Sequence, residues 1–429
     1  MFKRFLFLLL ICVIFFTTAC TPQQDDTPYS FMEEPEFTKS QTSHFVYQND
    51  FYYIKNGIIF YCSLQDLKDI DNYSQCLCFD PLCEHKGSRC TAFTGVGDVS
   101  LCIRSFNGSA MLYTKYKNIL SDPATYEIAQ YDIKNSEKKV LVDGIVNPID
   151  RFIVSDSAII FEENLGDHIS LQTYSFADTE CYKQVNDEMK FYQIIGCSDD
   201  TIIYNDDSCN IYSNSYQFDQ EKKLLTGILP YGYDVYDGNL YFPNNLNSVE
   251  MNGMSYNCVD ICKTPLTNPS TKNSDVVAYN VCCYGKVSSY IFGSNLFYLP
   301  CEPSYVGEVK RSYDEMSEMT FTIINEHNGI LWEVNTETLS EDVVVNDIGY
   351  NILELIYASQ DLIIFYTNAS GYRTDIEYDQ FGAVYVYERN SGELYQILYY
   401  GIWCYIKTLS NGIRAVSYTH LTLPTNVNV

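Results

Sequence analysis

Between residues 44 and 399 short apolar runs alternate with clusters of Asp, Asn, Gly and Ser, and one pattern returns seven times. A pair of turn residues precedes a strand-like run. The pairs are Asn49-Asp50 before Phe51-Tyr52-Tyr53, Asn107-Gly108 before Met111-Leu112-Tyr113, Ser155-Asp156 before Ile159-Ile160-Phe161, and Asp199-Asp200 before Ile202-Ile203-Tyr204. They continue as Asp237-Gly238 before Leu240-Tyr241-Phe242, Gly293-Ser294 before Leu296-Phe297-Tyr298, and Gln360-Asp361 before Ile363-Ile364-Phe365. A second pattern follows each of them: strand, polar turn, strand. It reads YDIKNSEKKVLV from Tyr131, YSFADTECYKQV from Tyr174, YQFDQEKKLL from Tyr216, WEVNTETLSEDVVV from Trp332 and YERNSGELYQIL from Tyr387, with degenerate forms after Tyr61 and Ile261. Two such hairpins make a four-stranded unit, and the anchors recur at intervals of 38 to 67 residues.

Repeats of this size cannot bury both faces of their sheets alone and gain stability by stacking on each other. Radial stacking leaves only short protected edges, so the expected fold is an all-β propeller of seven recognisable four-stranded blades. A two-domain β-sandwich is the alternative that the irregular spacing favours. No segment keeps an apolar stripe at helical spacing over three turns. After the seventh unit, Trp403 to Ile413 resembles the first strand and turn of another, so a truncated eight-blade chain is the leading expectation. A seven-blade ring closed by strand exchange is the second.

The two ends set the boundaries. Lys3 and Arg4 precede an apolar run from Phe5 to Phe16 that closes on Thr17-Thr18-Ala19-Cys20. A run this short is a secretory signal rather than a membrane span, which needs ~20 apolar residues. The Cys at the cut is similar to a bacterial lipobox, which implies that residues 1–20 are a lipoprotein signal and that Cys20 is the lipidation site. Residues 21–43, polar and Pro-containing, are expected as a flexible tether, and 44–415 as the propeller domain. Val416 to Val429 begins VSYTHLTLPT and resembles the conceptual translation of a transposon end and adapter used in preparing sequencing libraries. Residues 416–429 are therefore expected to be a non-native tail.

Composition narrows the class. The formal charge of −28 argues against nucleic acid, whose binding needs Lys and Arg to neutralise phosphates. With 39 Tyr and 2 Trp the chain favours strands.

The sharpest chemistry lies in the first unit: Cys76, Cys78, Asp80-Pro81, Cys83, His85 and Cys90. Cys78, Cys83, His85 and Cys90 have the ligand types of a closed structural zinc site, although their spacing is not that of a standard finger. Disulfide stapling is the other reading, with Cys62, Cys76 and Cys102 as further partners; buried free thiols are a third. Cys258 and Cys262 are expected to staple neighbouring turns. The Cys-x-x-Pro-x-Cys-x-His pattern followed by Cys resembles a group of uncharacterised lipoproteins from anaerobic gut Firmicutes, predicted to be propellers. That resemblance implies a surface-anchored propeller and supplies no activity.

Catalytic signatures are missing: no nucleophile elbow, no His-Glu-x-x-His, no phosphate-binding Gly loop. Outside the tail only His44, His85, His168 and His327 are available. Glu162-Glu163, Asp199-Asp200 and Asp206-Asp207 are candidate carboxylate pairs for glycoside chemistry, though adjacent acids are ordinarily solvated turn residues. Asp234, Asp237 and Asn239, and likewise Asn205, Asp206 and Asp207, are weaker calcium candidates that lack the EF-hand pattern and are adequately explained by turn chemistry. The expected function is a non-catalytic binding module at the cell surface, anchored to the outer face of the cytoplasmic membrane through lipid on Cys20, for a glycan, peptide or envelope partner. A glycan-active enzyme with carboxylates at the channel mouth, and a metal or thiol role at Cys78 to Cys90, are the alternatives.

Overall fold

The computed structural model describes residues 37–399 apart from 41–42, 79, 81, 86–89, 95–98, 107, 119–122, 136, 185–191, 199, 230–231, 252–253, 284–288, 300–303, 315–316, 326–329, 347–350 and 369–381. Cys20 with its signal, Pro81, Asn107, Asp199, His327, the expected start of an eighth unit and the tail 416–429 lie outside the described residues.

The first strand, β1 (Phe37–Ser40), precedes the repeats. Blade 1 is β2 (His44–Tyr47), β3 (Asp50–Lys55), β4 (Ile58–Ser63) and β5 (Gln75–Cys76), with a 3-10 turn (Leu64–Asp69) and one-turn helix α1 (Ile70–Tyr73) before its last strand. Blade 2 is β6 (Ser100–Phe106), β7 (Ser109–Asn118), β8 (Thr125–Asp132) and β9 (Glu137–Ile145). Blade 3 is β10 (Ile149–Ser155), β11 (Ala158–Asn164), β12 (Ile169–Ser175) and β13 (Cys181–Lys183). Blade 4 is β14 (Tyr192–Ser198), β15 (Thr201–Asp206), β16 (Asn210–Ser215) and β17 (Lys222–Thr226). Blade 5 is β18 (Asp234–Tyr236), β19 (Asn239–Met251), β20 (Met254–Pro265) and β21 (Asp275–Cys283). Blade 6 is β22 (Ser289–Phe292) and β23 (Asn295–Tyr298), then, after an inserted hairpin β24 (Ser304–Asp314) and β25 (Ser317–Asn325), β26 (Leu331–Asn335) and β27 (Glu341–Val345). Blade 7 is β28 (Asn351–Ala358), β29 (Leu362–Asn368), β30 (Gly382–Glu388) and β31 (Glu393–Tyr399).

Every blade pairs its strands antiparallel in sequence order, and the first strands touch in the cyclic order β2, β6, β10, β14, β18, β22, β28 and back to β2. The chain is a seven-bladed β-propeller. The seven turn pairs of the sequence all fall between the first and second strands. The second strands are the apolar runs because both of their faces are covered. In β11, Ile159 and Phe161 pack toward blade 2 beside Tyr113 and Ile128, while Ala158 and Ile160 pack toward blade 4 beside Ile203 and Tyr204. All four β11 residues are fully buried. Each buried Ile or Phe contributes roughly 2–3 kcal/mol of transfer free energy.

The ring closes without exchanging a strand among the described residues, since blades 1 and 7 are each one continuous stretch of chain. Side chains join them. The His44 ring stacks 6.0 Å from Phe51 and 6.2 Å from Tyr366, and Lys68 bridges to Glu388 at 3.0 Å and Glu393 at 2.9 Å. Both closure expectations are thereby corrected: the β2 and β28 inner strands meet directly, so the ring closes at seven blades where eight were expected, and it does so without an exchanged strand among the described residues.

Four residues of the expected tether form a strand. β1 adds to the inner edge of blade 3 as a fifth strand, antiparallel to β10, with Phe37 opposite Ser155 and Ser40 opposite Phe152. It touches the inner strands β6 and β14 as well, donates from Thr38 Oγ1 to Ile103 O at 3.4 Å, and reaches blade 5 through Lys39 Nζ to Asp234 Oδ1 at 2.5 Å. The strand therefore crosses the central channel.

Candidate metal centre

The loop from β5 to β6 is long, and backbone pairing binds it to the β3–β4 turn. Leu77 donates to Ile59 O at 2.9 Å, Ile59 donates to Ala92 O at 3.1 Å, and Thr94 donates to Gly57 O at 2.8 Å. Leu77, Cys90 and Ala92 are buried among Ile58, Ile59, Leu101 and Ile103 between blades 1 and 2. Asn56 and Gly57 form the tight turn beneath it with φ of 56° and 72°, the two positive values that a type I′ hairpin requires.

Within that frame Cys78, Cys83, His85 and Cys90 each offer a ligand atom, and these atoms lie within 4.8 Å of one another. Cys90 Sγ is 3.8 Å from His85 Nδ1. A tetrahedron with Zn–S bonds of ~2.3 Å has edges of about 3.8 Å, so the donor set fits a four-coordinate soft metal. Local geometry builds the cradle. Asp80 turns the chain, its Oδ1 accepting from Leu82 N at 2.9 Å and its carbonyl from Cys83 N at 3.1 Å. His85 sits in the left-handed region at φ 53°, which aims it back at the sulfurs.

Two sulfurs accept hydrogen bonds, His85 N–H to Cys83 Sγ at 3.3 Å and Thr91 Oγ1 to Cys78 Sγ at 3.4 Å. Burial opposes ionisation of Cys78, but the hydrogen bonds led by that of Thr91 outweigh it and bring the thiol down to about 6. Burial, with the neighbouring Cys78, pushes Cys90 up instead. One thiolate beside a retained thiol is how a cluster of like groups shares its charge when only protons balance it.

No disulfide joins these residues: Cys78, Cys83 and Cys90 are free. The suggested partners do not complete the group. Cys76 borders it and hydrogen-bonds with Cys90, its thiol raised to about 11 by burial. Cys62 is buried within blade 1, and Cys102 lies between blades 2 and 3. The disulfide that does form, Cys258–Cys282, links directly opposite residues of β20 and β21. Cys262, expected to pair with Cys258, is four residues along the same strand, roughly 13 Å away, and is buried and free.

His85 also lines a cavity of about 500 Å3 with Tyr53, Phe60, Lys55, Asp71 and Ser74. Tyr53 and Phe60 stack with centroids 5.7 Å apart, Tyr53 donates to Ser74 Oγ at 2.8 Å, and Lys55 reaches Asp71 at 3.1 Å.

The candidate acids do not converge. Glu162 and Glu163 are neighbours on β11 and face opposite ways. Glu162 is buried against blade 4 and accepts the Ile194 N–H at 2.7 Å, and burial raises its carboxyl to about 7. Glu163 takes Lys183 at 2.9 Å and Asn147 at 2.8 Å, and also Gln172. Asp206 accepts from Asn210 N at 2.8 Å and from Tyr212 at 3.1 Å, a turn function. Asp200 accepts from Ser157 at 2.8 Å, and Asp234 holds Lys39. His168 pairs with its neighbour Asp167 at 2.6 Å. Residues that sequence reasoning missed, Lys39, Thr91 and Glu162 as a clasp between blades, carry no local motif.

No family model and no curated protein matches the chain. Among solved structures the chain is similar to the β-propeller domain of the Trilobed protease from Pyrococcus furiosus, described as having an open velcro topology, at 11% identity and TM-score 0.48 over 83% of this chain and 97% of that one. It is similar to the computationally designed Ika8 protein at 9% identity and TM-score 0.43, over 85% of this chain and 87% of that one. A post-proline cleaving enzyme from Rickettsia typhi aligns at 8% identity and TM-score 0.46 over 83% of this chain and 53% of that one. The sheet order and the cyclic contacts of the inner strands establish the chain as a seven-bladed β-propeller.

Proposed function

We propose that this chain is a cell-surface lipoprotein, anchored by lipid on Cys20 to the outer face of the bacterial cytoplasmic membrane, whose propeller is a non-catalytic binding module for a glycan, peptide or envelope partner. The observation that carries the non-catalytic reading is β1. The channel, where a propeller hydrolase would gather convergent carboxylates, is crossed by the chain's own strand and its Lys39–Asp234 ion pair. Of the described candidate acids Asp234 is the one on an inner strand, and Lys39 occupies it, while Glu162, Glu163 and Asp206 lie on second strands; glycoside hydrolysis needs two facing carboxyls at a set separation. The Cys258–Cys282 disulfide fits an exported protein.

The Cys78, Cys83, His85 and Cys90 group holds a zinc ion in this reading, and the ion is structural. Four protein ligands leave no open position for substrate or water, and the loop they fasten covers the seam between blades 1 and 2. Beside it the half-buried Phe60, with the exposed Lys55 and Asp71 and with Tyr53 buried behind, lines a small polar-aromatic recess of the kind that receives a sugar or peptide side chain.

A glycan and envelope-polymer array probed with the full chain tests the reading, each feature scored for retention and for cleavage products. Retention without turnover is the expected result, and Lys55→Ala, at an exposed lining position, should reduce it. Release of new reducing ends from any retained glycan would overturn the non-catalytic assignment. Radiolabelled fatty acid incorporated into the wild type and lost in Cys20→Ser is the expected mark of the anchor.

A further inference from the structure

Strand direction gives the propeller two unlike faces. All inner strands run the same way round the channel, so the first-to-second and third-to-fourth strand turns lie on one face. The second-to-third strand turns and the blade-to-blade loops lie on the other. The first face is built mostly of short turns, the exceptions being the helical β4–β5 connection through Leu64–Tyr73 and the β20–β21 connection between Pro265 and Asp275. The second carries the Cys78–Cys90 loop, the extension of β19 and β20 to 13 and 12 residues, and the inserted β24–β25 hairpin. By comparison β15 in the neighbouring blade has 6 residues. At ~3.3 Å per residue, β19 outreaches β15 by roughly 20 Å, with β21 paired alongside the hairpin as far as Asn257.

β1 runs opposite to every inner strand. Phe37 is level with Ser155, the last residue of β10, next to the first-to-second strand turn, and Ser40 lies deeper, level with Phe152. The chain therefore enters the channel on the short-turn face, crosses it, and joins β2 from the other end. We infer that β1 threads the tether through the propeller, so that the anchor leaves from the short-turn face. The insertion-bearing face, with the β19–β20 and β24–β25 hairpins and the zinc loop, is then turned outward to a partner beyond the membrane. This rests on the anchoring at the N-terminus proposed above. Residues 21–36 reach at most ~55 Å, short enough for the exit point to bias which face lies nearer the lipid.

Contacts that hold the thread include the β1–β10 ladder, Thr38 on Ile103, and Lys39 on Asp234. Thr38→Pro with Lys39→Glu removes a donor from the ladder and sets two acids against each other. Once released, the tether would begin at Ser43, where β2 opens on the insertion-bearing face. The bias should then reverse rather than merely fade.

The test places a fluorophore, through an encoded clickable residue, at Asp178 on the short-turn face or at Asp167 on the insertion-bearing face. Both are exposed turn positions of blade 3. Energy transfer to acceptor-labelled lipid headgroups is read for the full chain lipidated on Cys20. It is read again for the chain held on nickel-chelating vesicles by a hexahistidine tag ahead of Thr21. Transfer at least two-fold greater from 178 than from 167, inverted by the double variant, is the expected result. Equal transfer from the two positions, or a bias that the folded double variant leaves unchanged, would overturn the inference. Should the double variant not fold, as judged by circular dichroism, the wild-type comparison decides. Loss of vesicle binding only in the Cys20-anchored arm, with the bias intact on nickel vesicles, would remove the lipid reading and leave the threading standing.

Discussion

Cys83 shows how much a single residue can disclose. Its sulfur accepts the His85 N–H while belonging to the four-ligand group, so Cys83→Ser removes a ligand and an ordering contact together. Full chain refolded with cobalt should show a thiolate-to-metal absorption band for one equivalent, and Cys83→Ser should weaken zinc binding by ~100-fold or more in chelator competition. A wild-type chain that takes up no cobalt, with Cys78, Cys83 and Cys90 titrating as free thiols, would refute the centre. Glu162 gives a second test. Its folded carboxyl is raised to about 7 by burial, so the fold favours the protonated form. The stability it lends is complete below about 4.5 and is lost as pH rises through 7. Glu162→Gln keeps an acceptor for Ile194 and never ionises, so its advantage over wild type should grow from pH 5 to pH 8, approaching roughly 2–3 kcal/mol. Melting curves at both pH values check this, and a difference that stays constant or narrows would contradict it. The four ligands were legible because their types and closeness in sequence carry the chemistry. Glu162 was not, because its partner is an amide 32 residues away in the next blade.

Among the elements, the hairpins were readable and the strand that crosses the channel was not. Turn residues such as Asp237-Gly238 and Asn56-Gly57 announce their positive φ in the sequence, and the apolar runs after them declare two covered faces. β1 is the four residues FTKS inside a polar tract, and its pairing is decided by the edge of β10, far away along the chain. The same blindness applied to Cys258, whose partner across β21 depends on a register that includes two bulges. Removing that bridge by Cys258→Ser with Cys282→Ser frees a loop of 24 residues. It should lower unfolding free energy by about 2–4 kcal/mol in denaturant titration, with the inner strands otherwise intact. At the seam the buried ring matters more than the surface charges. His44→Ala should cost about 2–4 kcal/mol, and Lys68→Ala clearly less, because exposed ion pairs contribute little. The reverse ranking would mean that the ring is held shut electrostatically.

At the level of the whole molecule, the repeat predicted the architecture, and ring closure was the part that sequence left open. Seven anchors matched seven blades, but the eighth blade expected from the Trp403–Ile413 pattern has no place in the closed ring, because the join depends on β2 meeting β28 through side chains that no repeat encodes. Each blade is finished by the stretch of chain that begins it, so the unit that can be copied, deleted or moved is a complete sheet. A propeller whose first and last blades share a strand cannot be reopened elsewhere without unravelling a sheet. Here a new pair of termini cut into a blade-to-blade connection, such as that between blades 4 and 5, would leave every hydrogen-bond ladder whole. The order of the blades along the gene is in that sense independent of their order in space, and permutation would disturb only the passage of β1 through the centre.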